Sequence, residues 1–190
     1  MSELVNSTYI SLDGVIESPQ TWPDTGGFGA EGNKIQTDLV LSCSAVIMGR
    51  HTYEVMAPVW PTMSGNPLAD KMNAMPKYVA SRTLVDPEWN NTHVIDGDLA
   101  TGVKKLKEES DGDIVQFGFG QVTHTLMSAG LLDRLRLWVH PFMIGRGGPA
   151  DLLYRDTPTT GFELDKVTAL ESGIVILDYR TLGDEPDVQS

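Results

Sequence analysis

The chain has 190 residues, 41% of them hydrophobic, enough to bury the core of one compact domain without metal or disulfide staples. Its formal net charge of −12, from 26 acidic against 14 basic residues, repels nucleic-acid backbones and anionic membranes. The single cysteine, Cys43, excludes an intrachain disulfide; with no signal peptide and no run of roughly 20 apolar residues legible, the composition predicts a cytoplasmic protein.

Val5 to Leu12 is β-branched and loosely alternating, which predicts a first strand. Asp13-Gly14 opens a long glycine-rich loop that runs to Gly32 and carries Trp22 and Phe28. Loops of that length are usually functional or mobile. Lys34 to Leu41 reads as a helix, with Ile35, Leu39 and Cys43 on one face. Ala45 to Met48 is a short apolar strand that leads into Gly49-Arg50-His51-Thr52 and a short helix stopped by Pro58. Pro61 to Pro76 is rich in turn formers, with a helical turn or two between Leu68 and Met75. Tyr78 to Ala80 and Thr92 to Ile95 are strand-like. Asp98 caps a helix reaching Glu109, whose apolar members are Leu99, Val103 and Leu106. Ile114 to Phe117 is a strand entering Gly118-Phe119-Gly120, and Gln121 to Ala129 is a helix ended by Gly130. A strand from Leu135 to Val139 follows, then a hairpin built from Phe162 to Ala169 and Ile174 to Tyr179. The order predicts one α/β domain over residues 1–182, with helices on both faces of a mixed sheet. Residues 183–190 read as a frayed acidic tail.

Three strand ends carry the chemistry. In open α/β sheets ligands collect outside the carboxyl ends of strands. Gly49-Arg50-His51-Thr52 offers close approach, a fixed cation, a hydroxyl and the start of a helix; a capped helix with a surface arginine reads equally well. Phe117-Gly118-Phe119-Gly120-Gln121-Val122-Thr123 places two glycines between a strand and a helix, where a pyrophosphate could meet the main chain. Thr123 stands where a full dinucleotide fingerprint has its third glycine, so a tight structural turn is the alternative. Ser81-Arg82 could hold a phosphate at the adenosine end of a cofactor, or could simply be solubilising. Arg50 and Arg82 together favour NADP over NAD by charge. Asp13 and Trp22 are candidates for substrate contact, against a turn for the first and a loop anchor for the second. His51, His93, His124 and His140 lack HExxH spacing, and no serine sits in a GxSxG elbow, so no metal site is predicted and serine hydrolysis is disfavoured.

Several phrases, in this order, resemble the dihydrofolate reductase-like superfamily. They are Ser11-Leu12-Asp13-Gly14-Val15-Ile16, Val46-Ile47-Met48-Gly49-Arg50-His51-Thr52-Tyr53-Glu54 and Lys77-Tyr78-Val79-Ala80-Ser81-Arg82-Thr83, then Gly118-Phe119-Gly120, Gly130-Leu131-Leu132-Asp133-Arg134-Leu135 and His140-Pro141-Phe142-Met143-Ile144-Gly145-Arg146-Gly147. The closer similarity is to the reductase domain of the bifunctional riboflavin-biosynthesis deaminase-reductase and its free-standing bacterial relatives. The resemblance implies a three-layer fold with a mixed, mainly parallel sheet of about eight strands, and a homodimer formed through the late strands. It further implies NADPH bound by Gly49, Arg50, Thr52, Ser81, Arg82 and the segment Gly118, Phe119, Gly120, Gln121 and Val122, with the loop after the first strand as a lid. Counting back from Met48 puts Asn33 at the head of the first helix, where dihydrofolate reductases carry an acid; this makes Asn33 a third candidate for substrate contact, although asparagine supplies no titratable proton there. Arg134 and the bulky Phe119 are further departures from the family pattern.

The function expected on these grounds is NADPH-dependent hydride transfer to a small carbonyl, imine or pterin- or pyrimidine-like substrate. No catalytic acid is singled out. A catalytically silent nucleotide-binding or regulatory domain is the alternative, as is a flavin- or pterin-binding module using Trp22.

Overall fold

The computed structural model describes residues 2–153 and 159–183; the acidic segment 184–190 lies outside them. In chain order the elements are β1 (Leu4–Ser11), α1 (Gly29–Ser42), β2 (Cys43–Gly49), α2 (Arg50–Met56), α3 (Pro67–Ala74), β3 (Lys77–Ala80) and β4 (Thr92–Ile95). There follow α4 (Leu99–Glu109), β5 (Asp113–Phe117), α5 (Gln121–Ser128), β6 (Arg134–His140), β7 (Phe162–Ala169) and β8 (Val175–Thr181). The strands form an 8-stranded sheet in the order β4-β3-β2-β5-β1-β6-β8-β7. Pairing is parallel from β4 across to β6, and β8 alone runs against the common direction, antiparallel to both β6 and β7.

Apolar residues alternate through the strands and stack helices on the two faces. Val40, Tyr53 and Met72, from α1, α2 and α3, pack with Val46, Met48 and Val115. Val103, Leu106 and Leu126, from α4 and α5, pack with Ala45, Ile47 and Ile114 on the other face. Two helix starts follow the expected capping chemistry: Asn66 accepts from the Ala69 amide and Asp98 from the Thr101 amide. This is the three-layer α/β arrangement that the resemblance implies.

The first helix departs from expectation. It begins at Gly29 rather than Lys34, within a stretch whose glycines read as loop. The cause is packing: a Cβ on Gly32 would stand 2.7 Å from both Leu170 Cδ1 and Phe28 Cβ, so the glycine lets α1 press against the β7–β8 hairpin. Tertiary contact overrides a low helix propensity here.

Candidate functional site

After β2 the chain turns toward β3, and after β5 it turns the opposite way, toward β6. Adjacent strands whose connections diverge leave a crevice at their carboxyl ends. A cleft of about 570 Å³ opens there. Gly49, Arg50, His51 and Thr52 line it from the β2–α2 turn, Gly118, Phe119, Gly120, Gln121 and Val122 from the β5–α5 turn, and Ala80 from the end of β3.

The two turns interlock. Gly118 has φ +78°, and a Cβ at that position would lie 2.7 Å from Thr52 Oγ1. Glycine is required there twice over, for its backbone and for the space. The Gly118 carbonyl accepts from Asn6 Nδ2 at 2.8 Å, and Asn6 Nδ2 also reaches Gln116 Oε1 at 3.1 Å. Thr8 Oγ1 in turn donates to Asn6 Oδ1. A buried polar relay on β1 and β5 thus props the turn from below. Thr123 Oγ1 accepts from the Gly120 amide at 3.3 Å, which explains the threonine in place of a third glycine: it caps α5. Phe119 is absorbed by burial, 7% exposed among Ile10, Ile16 and Leu135, with its ring against His124.

The remaining lining has a neutral floor and an apolar wall. Ser7, Thr8, Tyr9, Gln36 and Gln116 are uncharged, and burial raises the Tyr9 phenol to about 12, so it stays protonated. Ile16, Pro19, Val55, Met56 and Trp60 supply apolar surface. Glu17 is the one carboxylate among the described lining residues, and its Oε2 lies 3.7 Å from His51 Nε2. Arg50 is exposed and oriented, with Nε 2.7 Å from Glu54 Oε1 and Nη1 donating to Thr83 Oγ1.

Five predicted positions fall outside that lining. Ser81 Oγ accepts from the amides of Thr83 and Leu84, which commits it to a turn, and Arg82 follows it into an exposed stretch beyond Ala80. Asp13 is a clasp: its carboxylate accepts from Ser11 Oγ and from the amides of Ile144 and Gly145. The Ser11 hydroxyl, then the Gly145 and Ile144 amides, hold Asp13 down at about 2. Trp22 anchors its loop instead of facing the cleft, its ring edge-on to His140 and Phe142 and its Nε1 donating to the Glu17 carbonyl at 3.0 Å. Asn33 lies exposed within α1 because the helix starts early; Gln36, one turn on, faces the cleft in its stead. Tyr9, Gln36, Gln116 and Trp60 were not foreseen, and only the one-turn spacing of Gln36 from Asn33 could have pointed to any of them.

Among the described residues no helix is long and apolar enough to cross a membrane, and no group of three or more His, Cys, Asp or Glu could hold a metal.

Comparison with known proteins agrees with this architecture. The uncharacterised protein YyaP of Bacillus subtilis strain 168 is 26% identical over 187 residues, 92% of each chain. A crystal structure assigned to a riboflavin biosynthesis protein of Shewanella sp. PV-4 superposes with a TM-score of 0.73 at 17% identity, covering 96% of this chain and 99% of the other. A pyrimidine reductase-like protein of Corynebacterium diphtheriae gives 0.62 at 14% identity, with 96% and 93% covered. The diaminohydroxyphosphoribosylaminopyrimidine deaminase/5-amino-6-(5-phosphoribosylamino)uracil reductase of Thermotoga maritima gives 0.64 at 14%, and the match covers 95% of this chain but 57% of that larger protein. These structures share the fold. The profile of the RibD C-terminal domain family matches residues 3–176. The chain therefore belongs to the RibD C-terminal domain family.

Proposed function

We propose that the chain is a reductase that takes NADPH in the switch-point cleft and directs its hydride to a small carbonyl, imine or pterin- or pyrimidine-like ring. The observation that carries this reading is the interlock of Gly118 with Thr52, which joins turns from two different crossovers in one cleft. The donor set fits the cofactor. The first amides of α5 have no partner within the helix and suit a pyrophosphate, and a Cβ position on Gly120 meets only open space. Arg50, held by Glu54 and Thr83, would serve the ribose phosphate with its remaining guanidinium donors. Bound there, the nicotinamide supplies the hydride. The chain's own contribution is to orient the partners and exclude water: Ile16, Met56 and Trp60 shield the cleft, and Tyr9 remains neutral. A cytoplasmic homodimer completes the reading, supported by Leu164 and Val167 standing 50% and 51% exposed on edge strand β7.

Calorimetric titration with NADPH and NADH tests the proposal. Arg50→Ala is expected to weaken NADPH at least about tenfold and NADH less than about threefold, the difference belonging to the extra phosphate. Equal losses, or no binding of NADPH by the wild type, refute it.

A further inference from the structure

The floor of the cleft contains a hydrogen-bond acceptor with nothing to accept. Gln36 Oε1 is buried and makes no hydrogen bond to any described residue, although Gln36 lines the cleft. The donors bonded around the floor are directed elsewhere: Asn6 Nδ2 donates to Gln116 Oε1, Thr8 Oγ1 to Asn6 Oδ1, and Trp138 Nε1 to Ser7 Oγ at 3.1 Å. Buried amide oxygens are ordinarily paired, so a solitary one inside a ligand-sized cleft marks the place of a ligand's N–H or O–H group.

Charge narrows the ligand further. The Thermotoga maritima protein is named for a phosphoribosylated uracil, and a phosphate tail needs cations. Among the described lining residues the fixed cation is Arg50, beside the imidazole of His51. Arg50 is the group assigned above to the cofactor's ribose phosphate, and His51 Nε2 faces the Glu17 carboxylate at 3.7 Å. A second anionic group in this cleft would meet Glu17, within a protein of net charge −12. The rest of that wall is apolar, formed by Val55, Met56 and Trp60.

We infer that the substrate is an uncharged molecule with an amide-like N–H donor at its head, taken by Gln36 Oε1, and a flat apolar body along Val55, Met56 and Trp60. In calling that molecule the substrate the inference rests on the reductase reading; the selectivity itself rests on the lining.

A matched pair of probes, 4-formylbenzamide and 4-formylbenzoate, separates a neutral N–H donor from an anion of nearly the same shape. Binding of each to the intact protein is measured calorimetrically with and without saturating NADP+. The amide is expected to bind at least about tenfold more tightly than the carboxylate, and Gln36→Leu to reduce that preference at least about fivefold. Equal or tighter binding of the carboxylate, no binding of the amide up to its solubility limit, or an unchanged preference in a folded Gln36→Leu protein overturns the inference. Glu17→Lys, at the cleft mouth, is an independent variant: it is expected to narrow the preference at least about threefold, and an unchanged ratio defeats the exclusion of anions. Failure of NADP+ to bind defeats the reductase reading instead, and leaves the ratio of the two probes readable.

Discussion

At the amino end of the sheet, Lys107, only 6% exposed, reaches the Asp133 carboxylate, which also accepts from the Leu4 amide at 2.6 Å. Arg134 lies 2.6 Å from Glu3 and 2.9 Å from Asp165, and Lys77 donates to the carbonyls of Asn73 and Met75 while its ammonium stands over Trp89. At the carboxyl end the strands finish in glycine turns, neutral side chains and an amide oxygen without a partner, with the charges kept to the mouth. Where the sheet must only stay shut, opposite charges and main-chain carbonyls satisfy one another. Where it must receive something, hydrogen-bonding capacity is left open.

This contrast can be broken from either side. The largest effect is expected from Asp133→Ala, which leaves the Lys107 ammonium with the Leu131 carbonyl alone and removes the acceptor of the Leu4 amide; breaking such a pair, with Asp133 itself 33% exposed, should lower unfolding stability by about 3 kcal/mol. Denaturant titration should show this while NADPH affinity of the folded protein changes less than about twofold. Gly118→Ala attacks the other end. A left-handed backbone angle and a Cβ against Thr52 should cost about 2 kcal/mol, and here cofactor affinity should fall with stability. Retained affinity would separate the interlock from binding.

A smaller and more diagnostic effect is expected at Lys77, which burial pulls down from the ordinary 10.5 to about 8. The folded form then binds fewer protons than the unfolded chain between those values, so Lys77 raises stability as pH increases through that window. The unfolding free energy of wild type minus that of Lys77→Met should climb by about 2 kcal/mol from pH 8 to 10.5. A flat difference would mean that the two carbonyls and the Trp89 face keep the ammonium charged. Taking the difference matters because burial also raises the Cys43 thiol to about 11, which acts in the opposite direction at alkaline pH and cancels between the two proteins.

Much of the architecture is legible in the residue pattern because local rules and tertiary demands coincide there. Asp98, Leu99, Val103 and Leu106 cap and face α4 as their spacing requires, and the two glycines after Phe117 turn where expected. Local rules fail where a distant element decides. Gly29 to Gly32 read as loop because nothing nearby reveals that Leu170, far along the chain, needs the space at Gly32. Asn33 is reached by counting back from Met48 on the family pattern, and the residue of α1 that lines the cleft is Gln36, one turn on. Ser81, Asp13 and Trp22 have the right chemistry for ligand contact, but their hydrogen bonds and ring contacts are consumed inside the protein, a matter of three-dimensional neighbours. Tyr9 and Gln116 sit on strands whose pattern says only which face is buried.

The Asp13 clasp has a bearing on how molecules enter. Through it, and through the bridge between Val15 and Leu152, the root of the segment leaving β1 is fastened to the chain that follows β6. Because the Ser11 hydroxyl and the Gly145 and Ile144 amides hold the Asp13 carboxyl down to about 2, the clasp keeps its charge at neutral and mildly acidic pH. The cleft is therefore bordered by a fixed root on that side, and farther out Ser18, Pro19 and Gln20 line it directly. Insertions or deletions in that stretch should change which molecules pass, and how fast, without disturbing the frame.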